Sequence, residues 1–429
     1  MEQPELTTSA ASPNVRALAS LSAGVVCAGF WTAHHFGIIV WNGADSSVPA
    51  MSVLVGVMAC VGMALPWLEA RRRQRLLACA SLAVAIFVFR LLVVVPLLIA
   101  LAVPRIARKS WPTSRKLMLV LGGWLGIVML AWVAPRGPLL PYKALFVFLG
   151  GLPAPLICLI LERARGQLDD VEPLDEWLYL LAIPRMVVPF LQPIGAARLI
   201  KSRQRQAVGW RLPLSAVLLA AWGIADCISL RYTHYYAMGS FDHFDLAVHG
   251  PMVLSNAAHI YAINSTAIFA VVPMFRLLGY DLGSGFNFPF LSTSPAEFYR
   301  RWNYYYYEYV SANFYLPLSA FLRRRLPLKL AYALAGYPSF LLGVWALDHV
   351  FMQLTIGASQ RALLRSLSDW KQLLCYFGVW SVVILSQVVL APLRPLRRFW
   401  WWRVLGHVGF AGVVVGTLTL LFAFQLTVY

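Results

Sequence analysis

Acidic side chains are few in this chain: 18 Asp and Glu among 429 residues, against 36 Lys and Arg. Charged residues of both signs make up only 13%, where soluble domains carry about 25%. So little charge cannot clothe a water-exposed surface around a chain of this size, which excludes an ordinary soluble domain. The cysteines exclude more. All six (Cys27, Cys60, Cys79, Cys158, Cys227 and Cys375) lie in apolar runs without CxxC spacing. They read as small buried hydrophobes, neither a zinc site nor a disulfide framework. The chain also lacks a GxSxG elbow, a P-loop and an HExxH motif. No internal repeat and no long linker divides it. We therefore expect a polar tail over residues 1–16 and a single membrane-embedded unit over residues 17–429.

What is abundant is apolar sequence, 60% of all residues. Stretches such as Val48–Leu68, Leu117–Pro135, Leu212–Leu230, Leu373–Leu393 and Val404–Tyr429 are nearly uncharged and about 20 residues long, the length that spans a bilayer core of about 30 Å as a helix. Backbone polar groups must be satisfied internally there, so helices are the default. The pattern predicts an all-α, polytopic integral membrane protein with about ten to twelve membrane helices. Approximate spans are 17–41, 48–68, 76–103, 117–135, 139–161, 177–195, 212–230, 246–279, 327–358, 371–393 and 404–429. The segments 76–103 and 246–279 are long enough for two helices each, and Arg90 marks a hairpin turn in the first. The first apolar stretch lacks a basic leader and a cleavage site, so we expect a retained span.

The net charge of +18 has a nucleic-acid reading and a membrane reading. Its distribution favours the second. Basic runs stand at the ends of apolar segments: "RRRQR" at 71–75, "RIARK" at 105–109, "RLIKSRQR" at 198–205, "RRR" at 323–325 and "RPLRR" at 394–398. That is the positive-inside arrangement of cytoplasmic loops beside anionic headgroups. With "RRRQR" inside after two spans, the N-terminus is expected to be cytoplasmic, in a cell-membrane protein. Asp226 and Arg276, within apolar segments, read as structural charges. "HFDLAVHG" at 243–250 offers ligand-type residues at a span entrance, too weak a pattern for a metal site.

Three segments do not look like simple crossings. "PRMVVPFLQPIG" at 184–195 carries three prolines and Arg185, which suits a re-entrant or broken helix facing a cavity. "GFNFPFLSTSPAEF" at 285–298 ends in a helix start, with Ser294 as N-cap, Pro295 first and Glu297 at the third position. The following helix, "EFYRRWNYYYYEYV" at 297–310, is too polar to face lipid. Its tyrosines alone fit an interfacial aromatic belt. Arg300, Arg301, Trp302 and Asn303 fit that belt less well.

These segments carry a resemblance to the membrane-bound O-acyltransferases. The family's shared stretch is similar to "FNFPFLSTS" at 286–294, "EFYRRWN" at 297–303 and "YLPL" at 315–318, with matching spacing. "GYD" at 279–281 and "IPRMVVPFLQPI" at 183–194 also resemble family segments, and the likeness covers residues 180–360. Family members place a histidine directly after a Gly-x-Trp. Here "GVWALDHV" at 343–350 keeps Gly343 and Trp345, has Ala346 next, and offers His349 three positions later. Three helical residues advance about 300° and 4.5 Å, so His349 stands near the face of Ala346, one turn on.

The resemblance implies acyl transfer from an activated thioester, such as acyl-CoA or an acyl-carrier protein, onto a hydroxyl of a glycan, lipid or secreted molecule. It implies a central tunnel and no bound cofactor or metal. A hydroxyl needs a base as it attacks, and the developing oxyanion needs a fixed donor. The expected catalytic residues are His349 as base and Asn303 as the orienting or stabilising amide. Trp302 and Tyr299 are expected to line the tunnel. Arg300 and Arg301 either hold a phosphate- or pantetheine-bearing donor or anchor the helix at the cytoplasmic face. Asp348 adds polarity beside His349. The expected partners are membrane lipid, donor, acceptor and an envelope protein, not nucleic acid. Two rivals stand beside this reading: a transporter or flippase built on the broken proline helix, and a non-catalytic relative that has lost the usual histidine.

Overall fold

The computed structural model describes residues 57–58, 60–62, 64–65, 68–133, 142–187, 193–205, 272, 274–276, 278–283, 285, 292 and 295–343, with single positions at 378, 381, 384, 399, 401 and 404. Among these residues there are helices and connecting turns and no strand, so the described chain is all-α. It packs as two units, Met1–Arg231 with Phe269–Gly283, and Tyr232–Ile268 with Ser284–Tyr429.

In the first unit, helical residues within 57–64 precede α1 (Ala70–Phe89), which runs through a 3₁₀ turn (Arg90–Val93) into α2 (Val94–Ala107). Arg90 sits at φ 49°, a left-handed conformation that a non-glycine residue adopts at a cost of about 1–2 kcal/mol. That kink folds the chain back. At the base of α1, the Gln74 amide donates to Asp175 Oδ1 at 2.5 Å. Just past α2, Arg108 Nε donates to Glu176 Oε2 at 3.1 Å. In one straight helix these two side chains would stand about 50 Å apart. Instead both reach neighbouring residues in the first turn of a single helix, α6 (Pro173–Leu180). The hairpin expected at Arg90 is therefore what the structure contains.

After α2 come α3 (Thr113–Val133), α4 (Tyr142–Gly151), α5 (Pro153–Ala164), α6, α7 (Ile183–Val187) and α8 (Ala196–Arg205). Lys116 of α3 is buried and donates through Nζ to the Ala107 carbonyl at 2.8 Å, which satisfies the C-terminus of α2 with a cation. Trp124 Nε1 donates to the Leu149 carbonyl at 2.7 Å, pinning α3 to α4. Helix α5 ends in a Schellman turn at Gly166, φ 73°, where the Gly166 and Gln167 amides donate to the Arg163 and Glu162 carbonyls. Gly279, φ 83°, closes the helical turn over 272–276 in the same way. The Gly279 and Tyr280 amides donate to the Arg276 and Phe275 carbonyls, and the Phe275 and Tyr280 rings meet edge-on at 5.2 Å.

Within the mainly apolar core of this unit lie several charged side chains, and some large apolar ones lie outside. Glu176 is 0% exposed and bridges Arg108 and Arg163, tying the ends of α2 and α5 to α6. Buried Glu162 accepts the Ala197 amide at 2.6 Å and so caps the start of α8. Arg185, where the broken proline segment was expected, is buried with its guanidinium 4.3 Å from the Tyr179 ring centroid and bonded to the Ile194 carbonyl at 3.0 Å. Helix α7 ends at Val187, and 188–192 lie outside the described residues. Meanwhile Leu91 is 81% exposed, Met118 74% and Leu130 73%. Large apolar side chains turned outward around buried charges are what a hydrocarbon solvent favours. Among the described residues two helical stretches, Arg71–Ala107 and Thr113–Ala131, are long and apolar enough to cross a membrane, and the first of them contains the kink at Arg90.

Candidate functional site

In the second unit, α9 (Pro295–Trp302) carries the first half of the polar motif. Glu297 pairs with a basic side chain of its own helix, and the expected N-cap Ser294 lies outside the described residues. The Glu297 Oε1 accepts from Arg301, at 2.9 Å from Nε and 2.7 Å from Nη2, an i,i+4 pair along the same helix. Arg301 is thus partly neutralised by its own helix, while Arg300 is exposed. Tyr299 and Trp302 lie on α9, and their side chains are outside the description.

The continuous helix expected from Pro295 to Phe314 is interrupted. Asn303 takes φ −141°, ψ 80°, off the helical region, and α10 (Tyr304–Val310) begins after it. The physical reason is capping: Asn303 Oδ1 accepts the Tyr306 amide at 3.2 Å, and asparagine competes well with helix backbone in this way. The Tyr304 amide is satisfied separately, by the Gly285 carbonyl at 2.8 Å. The motif asparagine therefore commits its Oδ1 to the start of α10.

Helix α10 does not expose its tyrosines equally. Tyr305 and Tyr309, four apart, are buried, and Tyr307 is exposed. Tyr309 packs edge-on against Tyr306 at 6.3 Å and Phe314 at 5.6 Å. A π-helical turn, Ser311–Tyr315, then leads into α11 (Leu316–Leu322) and α12 (Leu328–Phe340), itself prolonged by π geometry over 341–343. Such turns often mark functional sites. Tyr315 stacks on Tyr332 at 6.2 Å. Burial first, then the neighbouring Tyr307 and Tyr332 hydroxyls, raise its phenol above the ordinary value and keep it protonated.

The two π turns meet. Tyr306 donates its hydroxyl to the Gly343 carbonyl at 2.6 Å. Gly343 is packed so closely that a β-carbon there would stand 2.9 Å from Val310 Cγ2 and 3.3 Å from Phe314 Cδ2. This joins the two stretches singled out by sequence, since Gly343 opens "GVWALDHV" and Tyr306 follows Asn303 by one helical turn. The tie was not legible beforehand, because nothing in a run of four tyrosines says which hydroxyl turns inward.

Asp348 and His349 lie outside the described residues, as do all eight histidines, and so does the 243–250 segment. Among the described residues no group of His, Cys, Asp and Glu could hold a metal ion. In comparison with known proteins, no family model matches the chain, and no curated protein matches it either.

Proposed function

We propose that this chain is a multi-pass membrane O-acyltransferase that moves an acyl group, acetyl or another short one, from a thioester donor to a hydroxyl. The donor class is acyl-CoA or an acyl-carrier protein, and the acceptor is a hydroxyl of a glycan, lipid or secreted molecule. In this reading about ten to twelve helices surround a tunnel, with the N-terminus cytoplasmic. His349 takes the proton from the attacking hydroxyl, and the Asn303 amide donates to the oxyanion. The observation that carries the reading is the Tyr306–Gly343 bond, 2.6 Å long, because it links the asparagine-bearing motif to the stretch that leads within six residues to His349. A second support is that Asn303 Oδ1 serves as a cap, which holds the carboxamide at the junction of α9 and α10.

The cap also supplies a sharp test. Aspartate caps a helix as well as asparagine does but has no NH₂ to donate. Purified wild type, Asn303→Asp and Asn303→Ala are compared for transfer of a labelled acyl group from thioesters. If the amide is catalytic, Asn303→Asp keeps the wild-type unfolding midpoint and loses about 10²–10³-fold in kcat. Wild-type turnover in Asn303→Asp would reduce the residue to a cap and remove the oxyanion donor from the proposal.

A further inference from the structure

We propose that the connection between α2 and α3, residues 105–116, is a binding site for the headgroup of anionic phospholipid. It rests on the membrane placement of these helices and is independent of the transferase reading. The sequence "RIARKSWPTSRK" holds five cations and no acid. The structure sorts those cations by use. Lys116 is turned inward to the Ala107 carbonyl, and Arg108 is engaged by Glu176 and by the Val171 carbonyl at 3.2 Å. Arg105, Lys109 and Arg115 remain exposed. The nearby acids Asp175 and Glu176 are both buried and satisfied within the unit, while Asp169, next to Arg163, and Asp170 and Glu172, on either side of Val171, are exposed.

Two further observations point to a lipid as the anion's source. Arg115 lies over the ring of Trp111, 4.7 Å from its centroid, which places a half-buried indole beside the cations as at a membrane–water interface. On either side the surface turns apolar within one helical turn: Leu101 of α2 is 45% exposed and Met118 of α3 is 74% exposed. A phosphodiester carrying two acyl chains fits a cationic rim above exposed leucine and methionine. A soluble anion would leave the apolar part unused.

The test uses the full chain reconstituted in bilayers of phosphatidylcholine alone or of equal parts phosphatidylcholine and phosphatidylglycerol, with lipid retention read by native mass spectrometry. The wild type is expected to retain phosphatidylglycerol in preference to phosphatidylcholine. Each exposed cation removed among Arg105→Gln, Lys109→Gln and Arg115→Gln weakens that preference about fivefold. The control Arg323→Gln/Arg324→Gln/Arg325→Gln loses less than the α2–α3 variants. Should Arg105→Gln or Arg115→Gln fail to fold, Lys109→Gln alone decides, by about a fivefold loss or by none. An unchanged preference in the α2–α3 variants, or an equal loss in the control, overturns the proposal.

Discussion

Tyr306 and Tyr307 are adjacent and chemically identical, yet one hydroxyl holds a carbonyl of another helix while the other ring is 42% exposed. Tyr306→Phe is accordingly expected to lower stability by about 1 kcal/mol, the usual net worth of such a bond, and Tyr307→Phe by almost nothing. Thermal unfolding in detergent checks the difference, and equal midpoints for the two variants would contradict it. Gly343→Ala is a second case at this scale. Its new methyl would meet Val310 at 2.9 Å, so a loss of about 1–3 kcal/mol is expected unless the helices separate. Sequence singled out the polar motif but said less about how each of its residues is used. The four-residue spacing of Tyr305 and Tyr309 put them on one face without saying that the face is inward. Glu297 had the position of a capping residue, and its carboxylate also pairs with a basic side chain one turn away on the same helix, which the capping pattern did not announce.

At the scale of elements, the α1–α2 hairpin is the clearest case of a feature visible from sequence. A 28-residue apolar stretch is too long for one crossing, and its only charge, Arg90, stands where the chain turns. The clasp at its base was invisible, because Arg108 and Glu176 are 68 residues apart and become neighbours only through the fold. The hairpin predicts topology directly. In a cysteine-free background, Arg72→Cys and Lys109→Cys should react with a membrane-impermeant maleimide from the same side of sealed vesicles; labelling from opposite sides would break the hairpin. The clasp predicts stability. Glu176→Gln leaves the buried end of Arg163 without its counter-charge and is expected to cost on the order of 3 kcal/mol, read as a fall in the unfolding midpoint. Helix α9–α10 shows the opposite lesson. Composition alone gave one polar helix, and a single side-chain-to-backbone bond from Asn303 divides it.

For the whole molecule, low charge and long apolar runs indicated helices, and the described residues hold helices and no strand, with Leu91, Met118 and Leu130 outward and Glu162, Glu176 and Arg185 inward. The ion pairs, caps and the tyrosine tie that hold the interior together were not legible, since each depends on which distant residues become neighbours. The proposed chemistry depends on one pairing above all, a histidine base with the amide of Asn303, supported by the short link from Tyr306 to the segment before His349. The most direct measurement is turnover of a labelled acyl thioester in the presence of hydroxyl acceptors by reconstituted wild type and His349→Ala, with the unfolding midpoint recorded for each. The account predicts acylated acceptor from the wild type and a loss of about 10²–10⁴-fold in kcat for His349→Ala at an unchanged midpoint. Equal turnover by the two proteins would contradict it.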